Sequence, residues 1–197
     1  TYAPDSSEYK RIIEACLTPD WTIAKKGIWY HAFSQSNHLP GQGFKIHVSA
    51  TSRTARDVLH RVMPICAREG VAFKVLVDDF ILDFANSKNF PRTASGKFIT
   101  IYPANDDQFA GLLEFLRLVT EDLRGPHVLS DKPYKDSKVL FYRYGGFVPQ
   151  HRLNIFGEKI SVIQSPEGKL VLDVRVPFFR LPEYVKDPFE SQDLNYE

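Results

Sequence analysis

The chain has 197 residues, with 25 Lys+Arg against 24 Asp+Glu and a formal net charge of +1. A 43% hydrophobic and 25% charged composition fits an ordinary globular protein of one sizeable domain; it excludes disordered, collagen-like and disulfide-framework classes. No apolar run approaches the ~18–20 residues that span a bilayer, and the balanced charge argues against a nucleic-acid binder.

The first eleven residues lack the apolar stretch of a signal peptide. A chain that begins at Thr1 and ends at Glu197 reads as a piece excised from a longer protein. Cys16 and Cys66 have no CxxC spacing and are expected to be free thiols in a reducing cytosol. Residues 181–197 carry five carboxylates against Lys186 alone, a net of −4, so with a total of +1 the first 180 residues carry +5. That excess is compatible with an anionic ligand.

In chain order, residues 8–17 read as a short amphipathic helix. The stretch 43–49 alternates in polarity as a strand, with Phe44, Ile46 and Val48 on one face and Lys45, His47 and Ser49 on the other. Residues 54–69 have helical apolar spacing, with Ser52 or Thr54 as the cap, Gly70 as the stop, and Pro64 expected to kink or split the helix. Residues 71–77 and 97–103 read as strands. The clearest helix spans 106–124, capped by Asn105 and stopped by Gly125-Pro126. A strand follows at 138–145, and residues 159–164 and 169–176 flank SPEG as a hairpin. The segment PFFRLPEYVKDPFE, with Pro177, Pro182 and Pro188, reads as an extended strap. The sum is an α+β fold, one domain over about 1–180 and a tail over 181–197.

Lys45 and His47 share a strand face, which on a solvated surface means nothing. Lys74 interrupts a strand whose same-face neighbours are Ala72 and Leu76; it either snorkels at the strand end or sits in a partly apolar pocket. The region 86–102 is dense in donors: Lys88, Arg92, Ser95, Lys97 and Tyr102. Arg143 lies between two tyrosines in an apolar strand and needs an anionic partner, either a ligand or a carboxylate such as Asp131. GQG at 41–43 precedes a strand, and no GxxxxGK[ST], HRD or DFG occurs; Asp78-Asp79-Phe80 is followed by Ile81. No zinc spacing or GxSxG occurs, and His31 and His38 are taken as structural residues of a loop-like stretch.

The stretches GFKIHVSATSRTARDVL (43–59), GVAFKVL (70–76), NSK…PRTASGKFITIYPANDDQF (86–109), GPHVLSDKPY (125–134) and VLFYRYGGF (139–147) resemble the lyase domain of class III lanthipeptide synthetases. The segment VRVPFFRLPEYVKDPF (174–189) resembles the link from that domain to a kinase domain. More distantly, such domains are similar to phosphothreonine lyase effectors. The resemblance covers about residues 28–190 and implies a curved, mainly antiparallel sheet packed by two principal helices. It implies β-elimination of phosphate from phosphoserine or phosphothreonine of a precursor peptide, giving dehydroalanine or dehydrobutyrine. By that resemblance Lys74 is the base and His47 the acid. Lys45 grips phosphate or faces the developing oxyanion, and Arg143 clamps the phosphate. Arg92 and Tyr102 support the site, Lys88 and Lys97 add weight, and Asp131 orients Arg143. Neither metal nor organic cofactor is expected for this domain; ATP and Mg belong to the kinase. The expected partners are the precursor peptide with its leader and the kinase and cyclase domains of the same cytoplasmic enzyme. A phosphopeptide-binding module without catalysis would use the same cations.

Overall fold

The computed structural model describes residues 7–190. Its elements are α1 (Ser7–Glu14), β1 (Trp21–Lys26), β2 (Trp29–Ser34), β3 (Gln42–Val48), α2 (Ala55–Arg68), β4 (Ala72–Leu76), α3 (Asp79–Ala85), β5 (Ile99–Tyr102), α4 (Asp106–Thr120), β6 (Lys132–Pro133), β7 (Leu140–Gly146), β8 (His151–Leu153), β9 (Lys159–Gln164) and β10 (Leu170–Leu172). Seven strands form one sheet in the order β1-β2-β4-β5-β3-β7-β6, and β10-β9-β8 form a second. Each described strand pair is antiparallel. This is the expected α+β domain, with α2 and α4 as its principal helices.

Alternation along β3 decides which face meets the helices. Phe44, Ile46 and Val48 belong to the apolar core, and the Phe44 ring stacks on Phe109 of α4 at 4.9 Å. Phe109, Leu112, Leu113 and Leu116 of α4, and Val58, Leu59, Val62, Met63 and Cys66 of α2, are buried. Burying a side chain of this size contributes about 1.5–3 kcal/mol. The opposite face of the sheet carries the polar residues.

Several expectations change. α2 runs through Pro64 without a break. Proline removes one hydrogen bond to the residue four earlier, and both Pro64 and His60 are exposed, on the side of the helix turned away from the core. Thr54 stands at the N-cap of α2 but its side chain makes no cap bond; its hydroxyl accepts from the Thr51 N–H at 3.0 Å. α4 stops at Thr120, short of Gly125. The Thr120 hydroxyl donates to the Leu116 carbonyl at 2.7 Å, and Arg61 takes the Val119 carbonyl at 3.1 Å. Asn105 caps α4 as expected, accepting from Gln108 N–H. Residues 21–34, which include His31, form a hairpin rather than a loop: Lys26 opposes Trp29 across a tight turn in which Gly27 takes φ 58°. α3 was not foreseen; Asp78 caps it, accepting from Ile81 N–H. Cys16 and Cys66 are free.

Residues 177–190 contain no helix or strand. Phe179, Leu181, Val185 and Phe189 pack against the core. Asp187 is buried, accepting from Lys132 Nζ at 2.6 Å and from the Tyr142 hydroxyl at 2.9 Å.

Candidate active site

Register brings distant residues into one row. His31 of β2 opposes Lys74 of β4; Lys74 opposes Thr100 of β5; Thr100 opposes His47 of β3. Cα atoms of Lys74 and His47 are therefore two strand spacings apart, about 10 Å, with Thr100 between them. One step along, Lys45 opposes Arg143 of β7 and Ala72 opposes Tyr102. All of these polar side chains except His31 line a single cavity of about 350 Å³, together with Lys97.

Asp131 is not the partner of Arg143. Its carboxylate pairs with His47 Nδ1 at 2.5 Å, takes the Ser130 hydroxyl at 2.8 Å and lies 3.9 Å from Lys97 Nζ. Arg143 instead meets Asp173, at 3.3 Å. Asp173 directly follows β10, in the smaller sheet that covers the cavity. Lys88 and Arg92 are exposed and outside the cavity lining, so the fold does not gather them with the others. Lys97 donates to the Thr93 carbonyl at 2.8 Å, and Lys45 to the Gly146 carbonyl at 2.9 Å.

Reading the sequence alone missed Trp29, Thr100, Asp173 and Arg175, which also line the cavity. Thr100 was recoverable, since period two puts it on the face of Tyr102. Asp173 and Arg175 alternate with Leu172 and Val174, the same sign of a charge among apolar residues that singled out Arg143. Trp29 lies under Lys74, whose Nζ is 4.3 Å from the ring centre.

The electrostatics follow from burial. Desolvation lowers Lys45 to about 7, with Arg143 adding to the effect and Asp173 opposing it. Desolvation, then Arg175, lowers Lys74 to about 8; Lys97 also falls to about 8, against the pull of Asp131. Such amines are partly neutral near pH 7–8 and can accept a proton. Burial holds His47 far below its ordinary value although Asp131 pulls the other way. The neutral imidazole donates Nδ1–H to Asp131, leaving Nε2 free to take a proton. Burial also opposes the charge on Asp131, but His47, Lys97 and Ser130 outweigh it and keep the carboxylate ionised. Burial, first of all, raises the Tyr102 hydroxyl and keeps it protonated. The chamber thus holds cations and donors suited to an anion, a tunable amine and an oriented imidazole. Among the described residues no group of three or more His, Cys, Asp and Glu is placed to hold a metal ion.

Comparison with known proteins agrees with the fold. The chain is 39% identical over 168 residues to the "Probable SapB synthase" of Streptomyces coelicolor, covering 85% of this chain and 18% of that protein. It therefore spans less than a fifth of the relative's length. The fold is shared with the phosphothreonine lyase OspF from Shigella flexneri, at TM-score 0.51 and 17% identity over 71% of this chain and 77% of the other. The Salmonella plasmid virulence C protein SpvC aligns at TM-score 0.51 and 17% identity over 77% of both chains. The family described as "RamC, N-terminal domain" matches residues 9–195. Sequence, fold and relatives agree with the membership read from the motifs, and the chain belongs to the RamC N-terminal domain family.

Proposed function

We propose that this chain is a carbon–oxygen lyase that eliminates phosphate from phosphoserine or phosphothreonine of a ribosomal precursor peptide during lanthipeptide biosynthesis. The carrying observation is the row Lys74–Thr100–His47 in a cavity shared with Lys45 and Arg143. A base and an acid two strands apart bracket one phosphorylated residue.

The neutral amine of Lys74 removes the Cα proton. The Cα–H bonding pair becomes the second Cα–Cβ bond as the Cβ–O bond breaks and its pair leaves with phosphate. His47 gives the Nε2 proton to the departing oxygen. The imidazole gains that proton as the substrate binds, because a phosphate dianion beside it favours the imidazolium. Asp131 fixes the ring's tautomer. Arg143 clamps the monoester in the bidentate manner guanidinium allows. Lys45 grips the same phosphate or faces the enolate-like oxygen, and Tyr102 and Lys97 support the site. Arg92 and Lys88 act, if the peptide reaches them, from outside the chamber.

The leaving group is already activated as phosphate, so this reading includes no cofactor for the chain itself. It takes residues 1–180 as the lyase unit and 181–197 as the link to a kinase domain that uses ATP and Mg. The kinase and cyclase domains of the same enzyme and the leader-bearing precursor are the partners, in the cytoplasm. No helix among the described residues is long and apolar enough to cross a membrane.

Mass measurement on a synthetic phosphoserine peptide tests the reading. A lyase removes phosphoric acid and leaves dehydroalanine; a phosphatase removes HPO3; a binding module changes nothing. Lys74→Ala is expected to abolish elimination while phosphopeptide binding persists, and turnover retained in that variant refutes the base assignment.

A further inference from the structure

The Asp173 side chain is 5% exposed, and the donors nearest its carboxylate, from Arg143, Gly146 and Arg175, line the cavity. Arg143 Nη2 is 3.3 Å from Oδ1. The Gly146 N–H is 3.4 Å from Oδ2, and Arg175 Nη2 is 3.8 Å from Oδ2. Lys45 Nζ lies nearby, donating to the Gly146 carbonyl at 2.9 Å: a Cβ placed on Gly145 would lie 3.2 Å from Asp173 Oδ1, 3.3 Å from Arg143 Nη2 and 3.5 Å from Lys45 Nζ. Two guanidinium groups and a backbone N–H around one carboxylate, with an ammonium close by, make an anion cradle. The chain's own carboxylate fills it.

That carboxylate is loosely held. Charge-assisted bonds to a carboxylate are usually about 2.7–2.9 Å, shorter than any contact Asp173 makes here. It also belongs to a separate piece of structure. The sheet β8–β10 shares no strand ladder with the seven-stranded sheet, and the Asp173 N–H donates to the Ser161 carbonyl at 3.0 Å, so the carboxylate travels with that sheet. β8 is exposed throughout, the sheet's buried apolar side chains are Val162 and Ile163, and its side-chain tie to β3 is Gln42, which donates to the Gln164 carbonyl at 2.7 Å and accepts from the Gln164 N–H at 2.6 Å. An element with so few buried contacts opens at low cost.

We propose that Asp173 is a resident occupant of the phosphate cradle, displaced by a monoester dianion, so that the β8–β10 sheet is a latch that admits doubly charged ligands over singly charged ones. The proposal rests on the phosphate-binding part of the function above. A carboxylate and a dianion cannot share Arg143 without strong repulsion, and a ligand must supply more charge than it displaces. Asp173 is thereby a specificity residue.

Isothermal titration with inorganic phosphate at pH 8 compares the wild-type chain with Asp173→Asn. Removing the competing charge is expected to tighten phosphate binding roughly tenfold, since apparent affinity falls with the fraction of sites already occupied, and to tighten methyl methylphosphonate, a monoanion, more than phosphate. Equal or weaker phosphate binding in the variant overturns the proposal, because a residue that merely orients Arg143 gives that result. Binding by neither protein overturns it too. A second measurement needs no variant: saturating phosphate is expected to speed amide hydrogen exchange over residues 161–173 of the wild-type chain, and unchanged or slower exchange there rejects the latch. Neither measurement depends on elimination, so a chain that binds phosphate by displacing Asp173 but never forms dehydroalanine separates failure of the lyase reading from failure of this one.

Discussion

Two carboxylates sit against cations in one chamber and are held in opposite ways. Asp131 is seated beside the main sheet, 2.5 Å from His47, with a serine hydroxyl as a further partner. Asp173 comes from the smaller sheet and meets Arg143 at 3.3 Å. The first pair is short and buried and sets the tautomer of a ring. The second is long and belongs to an element that can leave. A buried ion pair therefore says little about role until its geometry and its supporting element are known.

The largest effect expected from breaking this contrast is at Asp131. Asp131→Asn keeps the side chain's shape but removes the charge that supports imidazolium, and kcat for elimination is expected to drop about 100-fold or more, as for loss of a general acid. Steady-state turnover of a phosphoserine peptide measures it; a value near wild type would remove Asp131 from the acid's support. Next is the clamp: Arg143→Lys is expected to raise KM about tenfold because an ammonium cannot make the bidentate contact, and unchanged KM places the clamp elsewhere. Gly145→Ala is expected to weaken phosphate binding several-fold, because a Cβ 3.3 Å from Arg143 Nη2 and 3.5 Å from Lys45 Nζ crowds the groups that stay when Asp173 leaves; full affinity in a titration would show that the cradle yields freely.

The smallest effect concerns stability. Lys45 at about 7 and Lys74 and Lys97 at about 8 lie below the 10.5 of a free amine. Between those values the unfolded chain binds more protons than the native one, so stability rises with pH. The gain is spread over pH 7 to pH 9, where all three native amines lose their protons and the unfolded ones keep theirs. Above about 10 the trend turns, because the unfolded lysines are then losing their own protons, while burial raises Tyr9, Tyr102 and Cys66 and the native state keeps protons the unfolded chain loses. Urea midpoints measured at pH 7, 8 and 9 check the sign, and a falling midpoint over that interval contradicts the burial of these amines.

Local pattern carried much of this. Period two in β3 separated Phe44, Ile46 and Val48 from Lys45 and His47, and the apolar stripe of α4 located its helix, because a residue's face depends only on the pitch of its own element. The motifs gave the family. The hairpin at 21–34 escaped notice because its alternation is broken by partly buried residues on both faces, as the mixed burial of β1 shows. Pro64 does not split its helix, and whether a proline does so depends on whether the freed carbonyl has another partner, which is a matter of orientation in the fold. Asp131 is a candidate partner of Arg143 by sequence but faces His47, and Arg143 meets Asp173 instead; both Asp131 and Asp173 are acids near apolar residues. Their separations, 84 residues from His47 to Asp131 and 30 from Arg143 to Asp173, carry no geometric signal.

The sequence by itself determined the helices and strands with strong periodicity, the chemistry-bearing side chains and the family. Only the tertiary structure decided which of those side chains share a chamber, that Lys88 and Arg92 stand outside it, and which acid faces which base. Helix pitch and strand pleat are short-range properties, whereas charge pairing is settled by sheet register and by the packing of a second sheet, which no local stretch of residues encodes.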